Sequence, residues 1–235
     1  MLMLAFPAAA FATNCYVIAP APGEECLVVD PGIGVLDTLR DVFAEHRLRP
    51  AAVLLTHGHL DHVYSVTPVC RGAAPAVAPA YIHEADRYRL ADPLRYLDPM
   101  IVAAFEQQFG AKASWTEPDD VRVVGHDERL SIAGIDLRTV HAPGHTEGSV
   151  MFGIDAVPPG IPEGLDRTML TGDVLFAGSI GRTDLHGGSA EAMQRSLREV
   201  VLPLPDTTLV LPGHGPASTM EIERASNPYL AGLGT

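Results

Sequence analysis

Cysteine is scarce in this chain. Cys15, Cys26 and Cys70 are the three cysteines among 235 residues, and none is spaced as a C-x-x-C or finger pair. That excludes a disulfide framework and a cysteine-bound structural zinc; the expectation is three small buried hydrophobes in the reducing cytoplasm. Basic residues are also few. Sixteen Lys and Arg against 29 Asp and Glu leave a net charge of -13, which disfavours nucleic acid and anionic membranes because both attract basic surfaces. No run of about eighteen apolar residues occurs, so no membrane span is expected. The apolar start, Met1 to Ala12, lacks a positive leader and is interrupted by Pro7, so it reads as a first strand and a turn, not a signal peptide. Internal repeats, low-complexity tracts and composition breaks are absent too. With 47% hydrophobic and 19% charged residues, the expectation is one globular domain over residues 1–235 without an obligate protein partner.

What the chain does have is concentrated histidine. Thr56-His57-Gly58-His59-Leu60-Asp61-His62 places four potential ligands in six residues, just after the apolar run Ala51 to Leu55. That run is continuously hydrophobic, which predicts a strand buried on both faces, so the ligands sit at its carboxyl end, where crevices form in α/β sheets. The period of two turns His57 and His59 to one side, and a turn into a helix rotates Asp61 and His62 toward a second ion.

Around this stretch the patterning predicts strands at Asn14–Ala19, Glu25–Val29, 76–78, Val121–Val124, Leu130–Ile132, Ile135–Val140, Ser149–Ile154, Arg167–Leu170 and Thr208–Leu211. Ala133-Gly134 reads as a hairpin turn and residues 155–166 as a surface loop. Helices are expected from Val35 to His46 and over 63–69, 82–90, 94–109, 190–200 and 220–225.

Three further polar residues stand just past strands, each preceded by glycine: His145 in Pro143-Gly144-His145-Thr146, Asp173 in Thr171-Gly172-Asp173, and His214 in Pro212-Gly213-His214. Glycine lets backbone approach a crowded site closely. Of the other histidines, His141 is best placed to support a ligand because it ends the strand leading to His145. His46, His83 and His126 have no ligand spacing, and His186 reads as a loop histidine near a helix start, with lining of the cleft as the alternative.

Together His57-x-His59-x-Asp61-His62, His145, Asp173 and His214 resemble the metallo-β-lactamase superfamily. Thr171-Gly172-Asp173-Val174-Leu175-Phe176, Gly181-Arg182-Thr183-Asp184, Glu223-Arg224 and Asn227-Pro228-Tyr229-Leu230 are similar to its glyoxalase II branch, in a short form without the C-terminal helical domain. The resemblance implies an αββα sandwich of two mixed sheets flanked by helices. It implies His57, His59 and His145 on a first divalent metal, Asp61, His62 and His214 on a second, and Asp173 bridging them. Zinc is the default for such nitrogen and oxygen donors, with iron or manganese compatible.

The implied reaction is hydrolysis of a hydroxyacyl thioester of a small thiol by a metal-bound hydroxide that Asp61 orients. Arg182 stands where the branch has a basic residue for the thiol carrier, with a loop-bracing pair to Asp184 as the equal alternative, while Asp184 and Pro216 stand where tyrosines are expected, so a carrier other than glutathione is compatible. A lactonase would use the same dinuclear site. A persulfide dioxygenase resembles the chain as well, but needs one redox-active iron with open positions, whereas the complete second ligand set favours two metals and hydrolysis.

Overall fold

The computed structural model describes all residues except 74–75, 98–99, 101, 104–106, 108–114 and 234–235. β1 (Leu2–Pro7), β2 (Asn14–Ala19) and β3 (Glu25–Val29) form an antiparallel meander, and β4 (Arg49–Leu54), β5 (Ala80–His83) and β6 (Val121–Val124) extend it in parallel. The order in this six-stranded sheet is β1-β2-β3-β4-β5-β6. The second sheet contains β7 (Arg129–Ile132), β8 (Ile135–His141), β9 (Val150–Ile154), β10 (Arg167–Gly172), β13 (Thr208–Pro212) and β14 (Ser218–Thr219), in the order β14-β13-β10-β9-β8-β7. Its β10 and β13 are parallel and its other pairs antiparallel. A hairpin of β11 (Leu175–Phe176) and β12 (Ser179–Ile180) lies between β10 and β13 in the chain.

Three apolar layers explain the unbroken hydrophobic runs, since central strands are covered on both faces. Tyr16, Ile18, Leu27 and Leu54 of the first sheet meet Phe152, Leu170 and Leu209 of the second in the middle layer. On its other face the first sheet turns Val17, Val28 and Val53 toward Leu39 of α1 (Leu36–His46) and Val66 and Val69 of α3 (Val66–Arg71). The second sheet turns Met151, Met169 and Val210 toward Met193 of α4 (Ala190–Ser196) and Met220 of α5 (Met220–Ser226). The expected αββα arrangement follows.

Several boundaries differ from expectation for nonlocal reasons. The strand placed at 76–78 is β5 instead, because Val53 pairs with Ala80 and the Leu55 amide donates to Tyr81 O. The helix expected from 82 consequently begins at Glu84, as a 3-10 helix to Leu90. The helix expected over 63–69 divides into α2 (Leu60–Val63) and α3, where the Ser65 hydroxyl donates to Gly32 O. The helix over 190–200 ends at Ser196 and passes into a π turn from Leu197 to Val201. The helix placed over 94–109 lies in large part outside the described residues. Ala133 and Gly134, both at positive φ, make the expected hairpin turn. Within the loop of 155–166, Val157 and Ile161 close over the middle layer.

The two sheets meet at one edge through backbone. The Asn14 amide donates to Gly213 O, its side chain to Pro212 O and Gly215 O, and the Gly213 amide to Gly172 O. The carboxyl ends of β4, β10 and β13 therefore converge there, as do the loops that follow them.

Candidate metal centre

His57 and His59 follow β4, while Asp61 and His62 lie on α2, just beyond the β-region residue His59 that opens it. His145 follows β8, Asp173 follows β10 and His214 follows β13. Inward ligand atoms of His57, His59 and His145 lie within 4.8 Å of one another, as do those of Asp61, His62 and His214 and those of His57, His62 and Asp173. All seven expected ligands are brought together. The glycine before each late ligand permits this: a Cβ on Gly213 would strike the Asp173 carboxylate, and one on Gly172 would come within 2.6 Å of the Thr56 side chain.

The partners on the outward side of each ring settle which nitrogen faces inward. His145 Nδ1–H donates to Arg182 O at 2.8 Å, His214 Nδ1–H to Phe11 O at 3.1 Å, and His62 Nδ1–H to Asp30 Oδ2 at 2.9 Å. The Thr56 hydroxyl donates to Asp30 at 2.6 Å, so it accepts from His57 Nδ1–H at 3.1 Å. In the neutral rings Nε2 of these four histidines consequently points inward bearing a lone pair. His59 Nδ1 lies 3.1 Å from His57 Nε2 and 2.8 Å from His145 Nε2, and His62 Nε2 lies 3.3 Å from His214 Nε2. A proton on His59 Nδ1 would serve only one of its two neighbours. Asp173 Oδ1 is buried without a hydrogen-bond donor, which is costly for a carboxylate oxygen. Converging lone pairs and an orphaned carboxylate oxygen are the donor set a divalent ion requires, so the residues fit metal.

Electrostatics divide the cluster. Burial, reinforced by neighbouring imidazoles, holds His57 and His59 far below the ordinary imidazole pKa, and burial depresses His145 as well. Burial also opposes charge on His62, but Asp61, Asp173 and Asp30 overcome it and push its pKa up to about 10. His214 is raised against burial by Asp61 and Asp173. Against its own burial, Asp61 is held well below the carboxylate range by His62, His214 and the Thr13 hydroxyl, which donates at 2.9 Å. One half is therefore a neutral trio, and the other surrounds itself with carboxylates that demand positive charge.

The support is richer than the sequence suggested. Asp30, just past β3, is buried and accepts from the Thr56 amide and hydroxyl as well as from His62. A signal existed: an acidic residue ending a buried strand at the same sheet edge as the ligands. Asp86 is fully buried and accepts from the Gly58 amide at 2.8 Å, the Gly148 amide at 2.9 Å and the Thr146 hydroxyl at 2.8 Å, with Arg89 Nε at 3.2 Å. It thereby joins the two loops that carry His59 and His145. His141, expected to support a ligand, instead stacks on His83 at 3.8 Å and contacts Glu147 O.

A cleft of about 300 Å³ opens onto the cluster, lined by Phe11, Leu60, Tyr96, Leu185, Arg89 and Arg182 among others. His186 faces this cleft too, stacked on Tyr96, from its loop position ahead of α4. Arg182 supports His145 through its backbone carbonyl, while its guanidinium is exposed and paired with Asp184 at 2.7 and 2.8 Å.

Comparison with known proteins agrees with this geometry. An uncharacterized protein of Mycobacterium tuberculosis is 43% identical over 99% of both chains. The probable metallo-hydrolase YqgX of Bacillus subtilis is 35% identical over 89% of each, and the hydroxyacylglutathione hydrolase GloC of Haemophilus influenzae 31% identical over 95% of each. Among solved structures, BLEG-1 B3 metallo-beta-lactamase superposes with a TM-score of 0.78 at 30% identity, covering 98% of this chain and 100% of that one. TTHA1623 in a di-iron-bound form gives 0.74 at 31%, covering 97% and 100%. ETHE1 from Myxococcus xanthus, 22% identical with a TM-score of 0.72 over 99% and 85%, shares the fold. Residues 8–214 match the superfamily profile, and the chain belongs to the metallo-β-lactamase superfamily.

Proposed function

We propose that the protein is a dinuclear metal-dependent hydrolase, a glyoxalase II-like thioesterase that cleaves a hydroxyacyl thioester of a small thiol. The observation that carries this reading is the convergence of seven side chains whose inward atoms are lone-pair nitrogens or carboxylate oxygens. His57, His59 and His145 would hold one ion, Asp61, His62 and His214 the other, and Asp173 both. Zinc suits these donors best, with iron and manganese compatible. Similarity to GloC along nearly the whole of both chains supports the choice of thioester. Burial of all three free cysteines is in keeping with a cytoplasmic enzyme.

When bound, two divalent ions supply Lewis acidity and acidify water at neutral pH. The chain's own residues do the remainder. Asp61 stays ionised, is held in orientation by the Thr13 hydroxyl and lines the cleft, so it can accept a hydrogen bond from the attacking water and aim it. The outward partners of His57, His62, His145 and His214 fix ring orientation before substrate arrives. No acid is needed for the leaving group, because a thiol of pKa about 8.5 departs as thiolate.

The test is metal analysis of purified protein followed by assays on thioesters, lactones and glutathione persulfide with oxygen monitored. Two ions per chain and thioester hydrolysis without oxygen uptake are expected. Oxygen consumption by a single iron would establish a persulfide dioxygenase instead, and lactone turnover in the absence of thioester turnover would establish a lactonase. His59→Ala with full turnover and unchanged metal content would also refute the reading.

A further inference from the structure

We infer that the cleft beside the cluster selects an uncharged, apolar 2-hydroxyacyl thioester, its hydrophobic acyl chain seated against Phe11 and Tyr96. This rests on the thioesterase reading above and names its substrate class.

The first observation is exposed apolar surface gathered at one place. Phe11 is 59% exposed, Leu185 37% and Tyr96 36%, and all three line the cleft onto the metal ligands. Large apolar side chains left open in a concave site mark ligand contact. The second is that this surface is built, not incidental. Phe11 and Ala12 both lie in the left-handed region, at φ 60 and 53, a conformation L residues rarely adopt and one that persists only where surrounding contacts impose it. Those contacts are present: Phe11 O receives His214 Nδ1–H, and Thr13 ties the loop to Asp61 and, through its carbonyl, to the Ala8 amide. The same turn that supports two metal ligands thus presents the phenyl ring to the cleft. Also in the lining, Tyr96 lies flat on His186, with ring centroids 3.9 Å apart and 1° between planes, and Tyr88 stands edge-on to Tyr96 at 5.8 Å. The Arg89 guanidinium lies 5.1 Å from the Tyr88 ring centroid and 6.0 Å from that of Tyr96.

The third observation is that both arginines of the lining are already paired, while Arg95, outside the lining, lies over the Tyr96 ring at 5.6 Å. Arg89 is committed to Asp86 and Glu147, at 3.2 and 2.7 Å. Arg182 is committed to Asp184, and a substrate carboxylate that displaced Asp184 would leave that aspartate unpaired beside it, so the exchange gains little. A chain of net charge -13 repels an anionic carrier in addition. A volume of about 300 Å³ is at the small end for ligand sites, which suits a short acyl chain.

The test compares kcat/KM for lactoyl, 2-hydroxybutanoyl and 2-hydroxyhexanoyl thioesters of N-acetylcysteamine with that for lactoylglutathione, using metal-loaded enzyme. About fourfold is expected per methylene seated, on the order of 60-fold from lactoyl to 2-hydroxyhexanoyl, with lactoylglutathione the poorest. Phe11→Ala flattens the gradient by raising KM for the long chain. Calorimetric binding of S-alkyl N-acetylcysteamine thioethers, which cannot turn over, is expected to show the same ordering. A flat or falling series, or lactoylglutathione as the best substrate, would overturn the inference and leave the thioesterase standing. Hydrolysis of none of the four thioesters would overturn both.

Discussion

Replacing Asp86 by Asn would test whether one buried carboxylate joins the two histidine loops. Oδ2 accepts the Gly58 amide and the Thr146 hydroxyl, and Oδ1 accepts the Gly148 amide and faces Arg89 Nε. An amide nitrogen at either position meets donors with a donor, and Arg89, 2% exposed, loses half of its countercharge. Removing one partner from a buried ion pair costs about 3–5 kcal/mol. A chain of 235 residues has an unfolding entropy near 0.5 kcal/mol/K by the usual per-residue value, so the midpoint should fall by roughly 6–10 °C. The loosened loops carry His59 and His145, so affinity for the ion they share should weaken about 10- to 100-fold. Differential scanning calorimetry in excess zinc and competition with a chromogenic chelator measure the two effects. A midpoint within about 2 °C of the parent, with unchanged affinity, would refute the account of Asp86 as the tie between the loops.

Two pH responses follow from the charge distribution. His62 and His214 have raised pKa values, so a metal on their half must displace protons and binds more weakly as pH falls. His57, His59 and His145 are already neutral and bind with little pH dependence in the same range. Dialysis from pH 8 to pH 6 should therefore release the ion of Asp61, His62 and His214 first, leaving about one per chain by elemental analysis; simultaneous loss would contradict the division. His83 gives the opposite kind of signal, in stability. Burial, with His141 and His126, lowers its pKa to about 4, so the unfolded chain takes up its proton first. Its contribution is whole above about pH 6.5 and is lost as pH falls toward 4. Urea midpoints at pH 7 and pH 5 should differ less in His83→Gln than in the parent, and equal differences would refute the assignment.

The candidate ligands were legible in the sequence because such a residue is a matter of side-chain type placed at a strand end, and both are local properties. His57-x-His59 inherits its geometry from β4, and the glycines before His145, Asp173 and His214 announce the close approach that follows. Asp30 and Asp86 were not legible in the same way. In sequence, Asp30 opens Asp-Pro-Gly and Asp86 sits among helix-forming charges, contexts in which an aspartate is ordinarily a turn or a solvated face. Their roles depend on donors that arrive from residues 26 to 62 positions away, Thr56 and His62 for one and Gly58, Thr146 and Gly148 for the other. β5 slid from 76–78 to Ala80–His83 for a related reason, since its register belongs to β4 and not to its own composition.

Arg182 shows the converse, a residue whose type drew attention while its backbone does the work. The contact that matters to the cluster is its carbonyl on His145 Nδ1, which any residue except one that distorts the loop could supply. Its guanidinium closes on Asp184, two residues away, in an exposed pair that contributes little. The exposed side chains fixed beside the cluster are aromatic: Phe11, whose carbonyl orients His214, and Tyr96, stacked on His186 beside Arg89. Specificity in this protein is therefore better sought in the residues that the candidate metal centre's own scaffold holds still than in Arg182, the cation that the family resemblance brings forward.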